Sequence, residues 1–277
     1  MSLVLIGILS VQFGAAVSKG LFSEIPPVGM VLLRLVTSSL ILLALARPRL
    51  GGRTAADWRP VLALGVALGA MNWAFYASFA RIPLGVAVTI EFVGPLVLAA
   101  VGRRRPRDLA WVGLAALGVV LFGAGPTKVD ALGFGLALLA GGCWALYIVS
   151  TVATGRRWAG VEGLAVASTV ATLAIAPFAV AAAGARLLEP RLLVLGALVG
   201  LLSSVIPYSL EMTALRTLPP RVFGILMSLE PATAALVAAV LLSEWLTPLQ
   251  LLAIACVTAA SVGAARTTSA RDAIPGD

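Results

Sequence analysis

The chain is 277 residues long, of which 60% are hydrophobic and only 12% are charged, and its mean hydropathy is +1.04. A soluble domain has about 25% charged residues, so this composition excludes an ordinary soluble fold and predicts an all-α polytopic membrane protein. With no histidine and two cysteines that both fall in apolar runs, we expect no metal site, no cofactor and no disulfide framework.

Ten apolar segments come close to the length of about 20 residues that a helix needs to cross a bilayer. They run over residues 3–21, 27–46, 61–80, 84–102, 109–124, 131–154, 164–183, 192–215, 222–243 and 249–265. Prolines fall between most of these segments, where the loss of a backbone donor is tolerated. The sequence therefore predicts ten transmembrane helices.

The net charge of +8 reflects arginines that lie in short clusters between the apolar segments, so we expect no nucleic-acid partner. Alternate loops hold fourteen arginines on one side and four basic residues on the other. Cytoplasmic loops carry the excess of positive charge, which places the arginine-rich loops and both chain termini in the cytoplasm.

Part of the sequence is duplicated. Residues 86–101 align without a gap on residues 222–237, and this shift of 136 positions also superposes Pro83 on Pro219 and Pro95 on Pro231. Each copy contains five predicted helices, an odd number, so the second copy enters the membrane from the opposite side. We expect two inverted five-helix repeats over residues 1–126 and 127–266, followed by a cytoplasmic tail over 267–277.

Ionised side chains within apolar segments are costly and usually face a cavity or a partner. Four lie well inside the segments: Arg34, Glu91, Glu211 and Glu230. Lys19 lies near the end of the first segment, where its long stem can reach the interface. Glu244 follows the ninth segment and is expected to be a solvated boundary residue.

Polar and aromatic side chains share helix faces at spacings of three or four residues. Asn72 and Tyr76 lie on one stripe, Trp144 and Tyr147 on another, and Tyr208 and Glu211 on a third. Aromatic residues also pack helices in any bundle and concentrate at membrane interfaces, so for each aromatic residue alone a packing role is also open.

Four motifs carry a resemblance to a known family. They are IPLGVAV at residues 82–88, EFVGP at 91–95, PYSLEM at 207–212 and FGILMSLEP at 223–231. Together they resemble the drug/metabolite transporter superfamily with EamA-type repeats, most closely its threonine/homoserine exporter branch. This resemblance implies a ten-helix bacterial inner-membrane carrier, not an enzyme, that exports small neutral amino acids by exchange with protons.

A zwitterionic substrate fits the charges in the predicted helices. Its carboxylate needs a cation such as Arg34 or a half-helix near Pro95 or Pro231, and its ammonium group needs Glu91 or Glu230. We expect a cavity lined by helices one, three, four, six, eight and nine. Its walls and hydrogen bonds would come from Asn72, Tyr76, Trp144, Tyr147 and Tyr208.

Proton coupling is expected on a buried glutamate, because removal from water favours the neutral carboxyl group. Glu91 is the first choice, with Glu211 and Glu230 in reserve. Arg34 has two open roles, direct contact with substrate or a structural pair with a glutamate.

Two other functions remain open from the sequence. Efflux of hydrophobic cations or other small metabolites would need only aromatic faces and one glutamate. A membrane scaffold or an intramembrane enzyme would need long loops or a nucleophile with its base, and neither is visible in the sequence.

Overall fold

The computed structural model describes residues 1–101, 106–123, 129–215 and 218–268. Thirteen α-helices account for most of these residues. They are α1 (Ser2–Gly20), α2 (Pro27–Ala46), α3 (Ala55–Phe79), α4 (Leu84–Glu91), α5 (Val93–Val101), α6 (Pro106–Gly123), α7 (Ala131–Gly155), α8 (Glu162–Ala183), α9 (Pro190–Gly200), α10 (Ile206–Leu215), α11 (Pro220–Met227), α12 (Glu230–Leu242) and α13 (Pro248–Thr268). A 3₁₀ turn, Gly184–Leu188, follows α8, and a π-helical turn, Leu201–Val205, joins α9 to α10.

Local sequence explains where several helices begin. Thr54 and Asp57 form a reciprocal capping box before α3, and the Asp130 carboxylate accepts a hydrogen bond from the Gly133 backbone N–H at the start of α7. Proline at the first helical position of α2, α9 and α11 fixes a helical φ where no backbone donor is needed.

Seven helical spans in the described part of the chain are long and apolar enough to cross a membrane. They are Ser2–Gly20, Pro27–Ala46, Ala55–Phe79, Ala131–Gly155, Glu162–Leu188, Val222–Leu242 and Pro248–Arg266. Three shorter apolar helical stretches, Leu84–Leu98, Leu109–Phe122 and Pro190–Val205, lie between them in the chain. The fold is therefore that of an all-α polytopic membrane protein.

Helices α4 and α11 break at corresponding positions of the duplicated sequence. Both have eight residues, and the shift of 136 positions places Glu91, the last residue of α4, on Met227, the last residue of α11. Pro95 and Pro231 each lack the N–H that would bond to the carbonyl four residues earlier, which belongs to Glu91 or Met227. The prolines therefore explain why both helices end where they do.

Four residues distant in sequence meet at the end of the bundle where α1 ends and α4 begins. The Lys19 ammonium lies 2.5 Å from a carboxylate oxygen of Glu244 and donates to the Ile82 carbonyl at 2.7 Å. The other Glu244 oxygen accepts from the Leu84 backbone N–H at 2.8 Å. We call this the Lys19 end. Glu244 is thus a paired residue that joins three helices, and not the solvated boundary residue that its sequence position suggested.

Close backbone packing accompanies these contacts at the Lys19 end. A Cβ on Gly85, at the start of α4, would lie 2.8 Å from the Ala235 Cα of α12, so only glycine permits this approach. The other halves of the broken helices pack elsewhere, α5 on α6, α7 and α13, and α11 on α13 and α1. Helices α4 and α12 therefore pack directly against each other at the Lys19 end.

Candidate functional site

A cavity of about 230 Å³ lies in the middle of the bundle, between α1, α2, α3, α4, α7, the π-helical turn and the break between α11 and α12. Its polar and charged lining residues are Gln12, Arg34, Asn72, Glu91, Ser203 and Glu230. Apolar and aromatic side chains complete the wall, among them Met71, Phe75, Trp144 and Tyr147. The cavity thus brings together six residues expected from the sequence: Arg34, Asn72, Glu91, Trp144, Tyr147 and Glu230.

Arg34 is held in the cavity wall by backbone and hydroxyl oxygens. Its Nη2 donates to the Ser203 carbonyl at 2.9 Å, and the Ser204 and Tyr76 hydroxyls lie 3.4 Å from Nε and Nη1. The carbonyls of a π-helical turn do not all find partners within the helix, and this turn offers one of them to Arg34.

The ion pairs of the described side chains do not include Arg34. Glu91 and Glu230 line the same cavity but do not pair with it. The structural pairing of Arg34 with either glutamate, which the sequence left open, is thus not found in this structure. The guanidinium keeps its charge facing a cavity in which an anion would be its natural partner.

Glu91 is positioned by two glycines where α4 ends. A Cβ on Gly141 of α7 would lie 2.6 Å from the Glu91 carbonyl oxygen, and a Cβ on Gly94 would lie 1.9 Å from the Gly141 carbonyl oxygen. The Phe92 ring, next to Glu91, packs edge-on against Trp144 with ring centroids 5.0 Å apart. The end of helix α4 at Glu91 therefore packs tightly against α7, and the Glu91 carboxyl group lines the cavity.

Glu230, the first residue of α12, lines the cavity and contacts α1. Its Oε1 accepts a hydrogen bond from Gln12 Nε2 at 3.2 Å. The Glu230 carboxyl group also lies in the first turn of α12, where the positive end of the helix dipole can bind an acidic group.

Two residues expected to bind substrate have other contacts. Tyr76 is fully buried among Phe22, Phe75 and Phe79. Its hydroxyl group lies near Arg34 and Ser18, so Tyr76 contacts Arg34 from outside the cavity lining. Asn72 lines the cavity, but its Nδ2 donates to the Leu68 carbonyl of its own helix at 2.8 Å. The packing role considered for the aromatic residues therefore holds for Tyr76.

The side chains of Tyr208 and Glu211 lie outside the part of the chain that the structure describes. Two polar residues of the cavity lining, Gln12 and Ser203, were not among the expected site residues. Gln12 is the single amide in an apolar helix, and Ser203 belongs to the adjacent Ser203–Ser204 pair within the eighth apolar segment. Both signals were present in the sequence, but each also fits a buried packing role.

Among the described residues, the lining combines one cation and two carboxyl groups with three neutral polar residues and an apolar wall. A ligand that carries one positive and one negative group can place its negative group on Arg34 and its positive group on a glutamate.

The sequence model of the EamA-like transporter family matches residues 131–266. The threonine/homoserine exporter RhtA of Escherichia coli (strain K12) is 44% identical over 270 residues, which cover 96% of this chain and 90% of the exporter. The protein of the same name from Salmonella typhimurium (strain LT2) is also 44% identical, with 95% of this chain and 90% of that protein covered. A solved crystal structure that is 19% identical superposes with a TM-score of 0.59 over 98% of this chain and 99% of that chain, which supports the fold alone.

Proposed function

We propose that this chain, which belongs to the EamA-like transporter family and to its threonine/homoserine exporter branch, exports small neutral amino acids across a bacterial inner membrane. The observation that carries the proposal is the placement of Arg34, Glu91 and Glu230 around one cavity, with no ion pair between Arg34 and either glutamate in the described residues. The names of its relatives supply the substrate class, and the charges of the cavity suit that class.

The substrate carboxylate binds to Arg34, whose planar guanidinium matches a carboxylate with two parallel hydrogen bonds. The substrate ammonium group binds to Glu91 or Glu230, which line the same cavity as Arg34. Asn72, Trp144 and Tyr147, with Tyr208, complete the walls around the small side chain, while Tyr76 holds Arg34 in place.

The coupling proton resides on one of the buried glutamates, with Glu91 as first choice and Glu211 and Glu230 in reserve. The lining supports this assignment, since the cation Arg34 shares the cavity with two carboxyl groups, and one carboxyl group that binds either a proton or the substrate ammonium group couples the two in exchange. Glu230 already accepts a hydrogen bond from Gln12, whereas the Glu91 carboxyl group has no hydrogen bond within the described residues. Glu91 is therefore the better proton carrier.

We infer alternating access from the two broken helices, α4 with α5 and α11 with α12, because the halves α4 and α12 pack against each other at the Lys19 end. The chain forms ten membrane segments in two inverted repeats, 1–126 and 127–266, with a tail over 267–277. With both termini in the cytoplasm, the Lys19 end faces the periplasm and the contact of α4 with α12 closes it. Reporter fusions after Arg53 and after Arg186 test this orientation, because the first must report cytoplasm and the second periplasm.

Ligand-induced thermal stabilisation of the purified protein tests the substrate class. A ligand at 100 times its Kd stabilises the folded state by about 2.7 kcal/mol, so binding raises the melting temperature measurably. We expect threonine and homoserine to stabilise the wild type and not Arg34→Gln. Stabilisation by tetraphenylphosphonium, and by no amino acid, would replace this proposal with efflux of hydrophobic cations.

A further inference from the structure

Gln12 is a fully buried amide in the wall of the cavity. It lies in the middle of α1, is 1% exposed, and borders the cavity beside Val11. Most side chains along α1 are aliphatic or small, and only Gln12 and Lys19 carry a nitrogen atom. A buried amide is retained in such a helix only when its donors and its acceptor have partners.

Only one end of the Gln12 amide has a partner in the protein. Nε2 donates to Glu230 Oε1 at 3.2 Å, and Oε1 is buried with no hydrogen-bond partner among the described residues. The reverse orientation would place the amide oxygen against a carboxylate oxygen, so the contact with Glu230 fixes the direction of the amide. Gln12 therefore presents a carbonyl oxygen that needs a donor.

The missing donor must come from the contents of the cavity. An amino-acid substrate has two kinds of donor, its ammonium group and, in threonine and homoserine, a side-chain hydroxyl group. The cavity already provides two carboxyl groups for the ammonium cation, Glu91 and Glu230. A neutral amide oxygen is a weaker partner for a cation than a carboxylate, but it matches a neutral hydroxyl donor.

The position of the Gln12 amide suits a contact with the substrate hydroxyl group, while the carboxyl groups bind the ammonium group. Because Gln12 contacts Glu230, its oxygen lies next to the site of the substrate ammonium group. A hydroxyl group on the β or γ carbon of an amino acid is also close to that ammonium group. Apolar neighbours such as Val88 and Met227 supply no competing donor from their side chains.

We propose that Gln12 is a specificity residue, whose Oε1 accepts a hydrogen bond from the hydroxyl group of a hydroxylated amino acid such as threonine or homoserine. This inference rests on the proposed function and names the substrate side chain that the site selects. Valine has the shape of threonine with a methyl group in place of the hydroxyl group. In the wild type, valine would leave Gln12 Oε1 buried without a donor, which sites built around a hydroxyl group reject.

The test compares the affinities of threonine and valine for the purified full-length protein. We expect the wild type to prefer threonine by about 10-fold or more, as one buried unsatisfied acceptor implies. Gln12→Leu should bring the ratio of the two affinities close to one, mainly by weakening threonine. Gln12→Met, which preserves the length of the side chain, gives the same readout if the leucine variant does not fold.

Gln250→Leu is the matched control, because Gln250 is the other glutamine of the chain and is buried in α13, where its Oε1 accepts from the Thr247 backbone N–H at 2.9 Å. It should keep the wild-type ratio. An equal loss of threonine and valine binding in Gln12→Leu would make Gln12 an ammonium ligand or a structural residue and would overturn the inference. An unchanged ratio would overturn it as well while leaving the proposed function intact, whereas a wild type that binds no amino acid would overturn both.

Discussion

Lys19 and Glu244 form an ion pair of 2.5 Å that joins the end of α1 to the segment after α12. Each side chain is 18% exposed, so the pair is largely removed from water. Lys19 also donates to the Ile82 carbonyl between α3 and α4, and Glu244 accepts from the Leu84 backbone N–H at the start of α4. These contacts make the pair a largely buried polar connection at the Lys19 end.

Glu244→Gln should favour opening of the Lys19 end, because it removes the charge that balances Lys19. Loss of one partner of a partly buried pair shifts the equilibrium by about 1 kcal/mol or more, which is about fivefold. We expect a cysteine at Met71, which lines the cavity, to react several-fold faster with an impermeant thiol reagent added outside intact cells.

The labelling experiment uses a background in which Cys143 and Cys256 are replaced by alanine. Glu24→Gln is its control, since Glu24 pairs with the exposed Arg191 at the same end and should leave the labelling rate unchanged. Equal rates in Glu244→Gln and the parent would mean that the ion pair does not hold this end closed.

Gly141→Ala should lower the thermal stability of the protein. The new Cβ would lie 2.6 Å from the Glu91 carbonyl oxygen, and such overpacking costs about 1 to 3 kcal/mol. Gly142→Ala is the matched control, because open space surrounds that position and alanine favours a helix. Thermal unfolding in detergent should separate the two variants, and identical melting temperatures would show that α7 does not lock the break at Glu91.

Arg34→Lys should weaken amino-acid binding by about 10-fold. Lysine keeps the charge but loses the planar pair of donors, and a hydrogen bond to a charged group contributes about 1.5 to 3 kcal/mol. Titration of threonine into the purified variants measures the change. Arg81→Lys, in an exposed ion pair with Asp130, should bind as the wild type does. Wild-type affinity in Arg34→Lys would remove Arg34 from the substrate site.

Glu91→Gln should abolish accumulation driven by a pH gradient in inverted vesicles, while some exchange without a gradient survives because Glu230 still lines the cavity. The amide mimics the protonated carboxyl group but cannot release a proton. The carrier therefore keeps a neutral side chain at this position and loses proton coupling. Glu162→Gln, outside the cavity and paired with Arg53, is the control. Retained driven accumulation would move coupling to Glu211 or Glu230, and its retention in all three single variants would exclude coupling by these carboxyl groups.

The charged residues of the cavity could be predicted because an ionised group in an apolar segment is rare whatever the fold. Arg34, Glu91 and Glu230 were identified on that basis, and the structure places them around one cavity. Pro95 and Pro231 indicated breaks for a similar local reason, the loss of a backbone donor.

Contacts between distant helices could not be predicted in the same way. The pairing of Lys19 with Glu244 and the placement of Tyr76 behind Arg34 depend on how helices pack, which periodicity within one helix does not specify. Gln12 was not assigned to the site because a single amide on a helix face indicates no role, and its contact is with Glu230, which lies far away in the sequence.

Counterflow of labelled threonine tests the central claim most directly. Purified protein is reconstituted into liposomes preloaded with unlabelled threonine or homoserine, and labelled threonine is added outside. The account predicts transient accumulation of label in the wild type and its loss in Arg34→Gln that remains folded. Accumulation no greater than in protein-free liposomes, or equal accumulation in Arg34→Gln, would contradict the claim that the cavity around Arg34 carries amino acids.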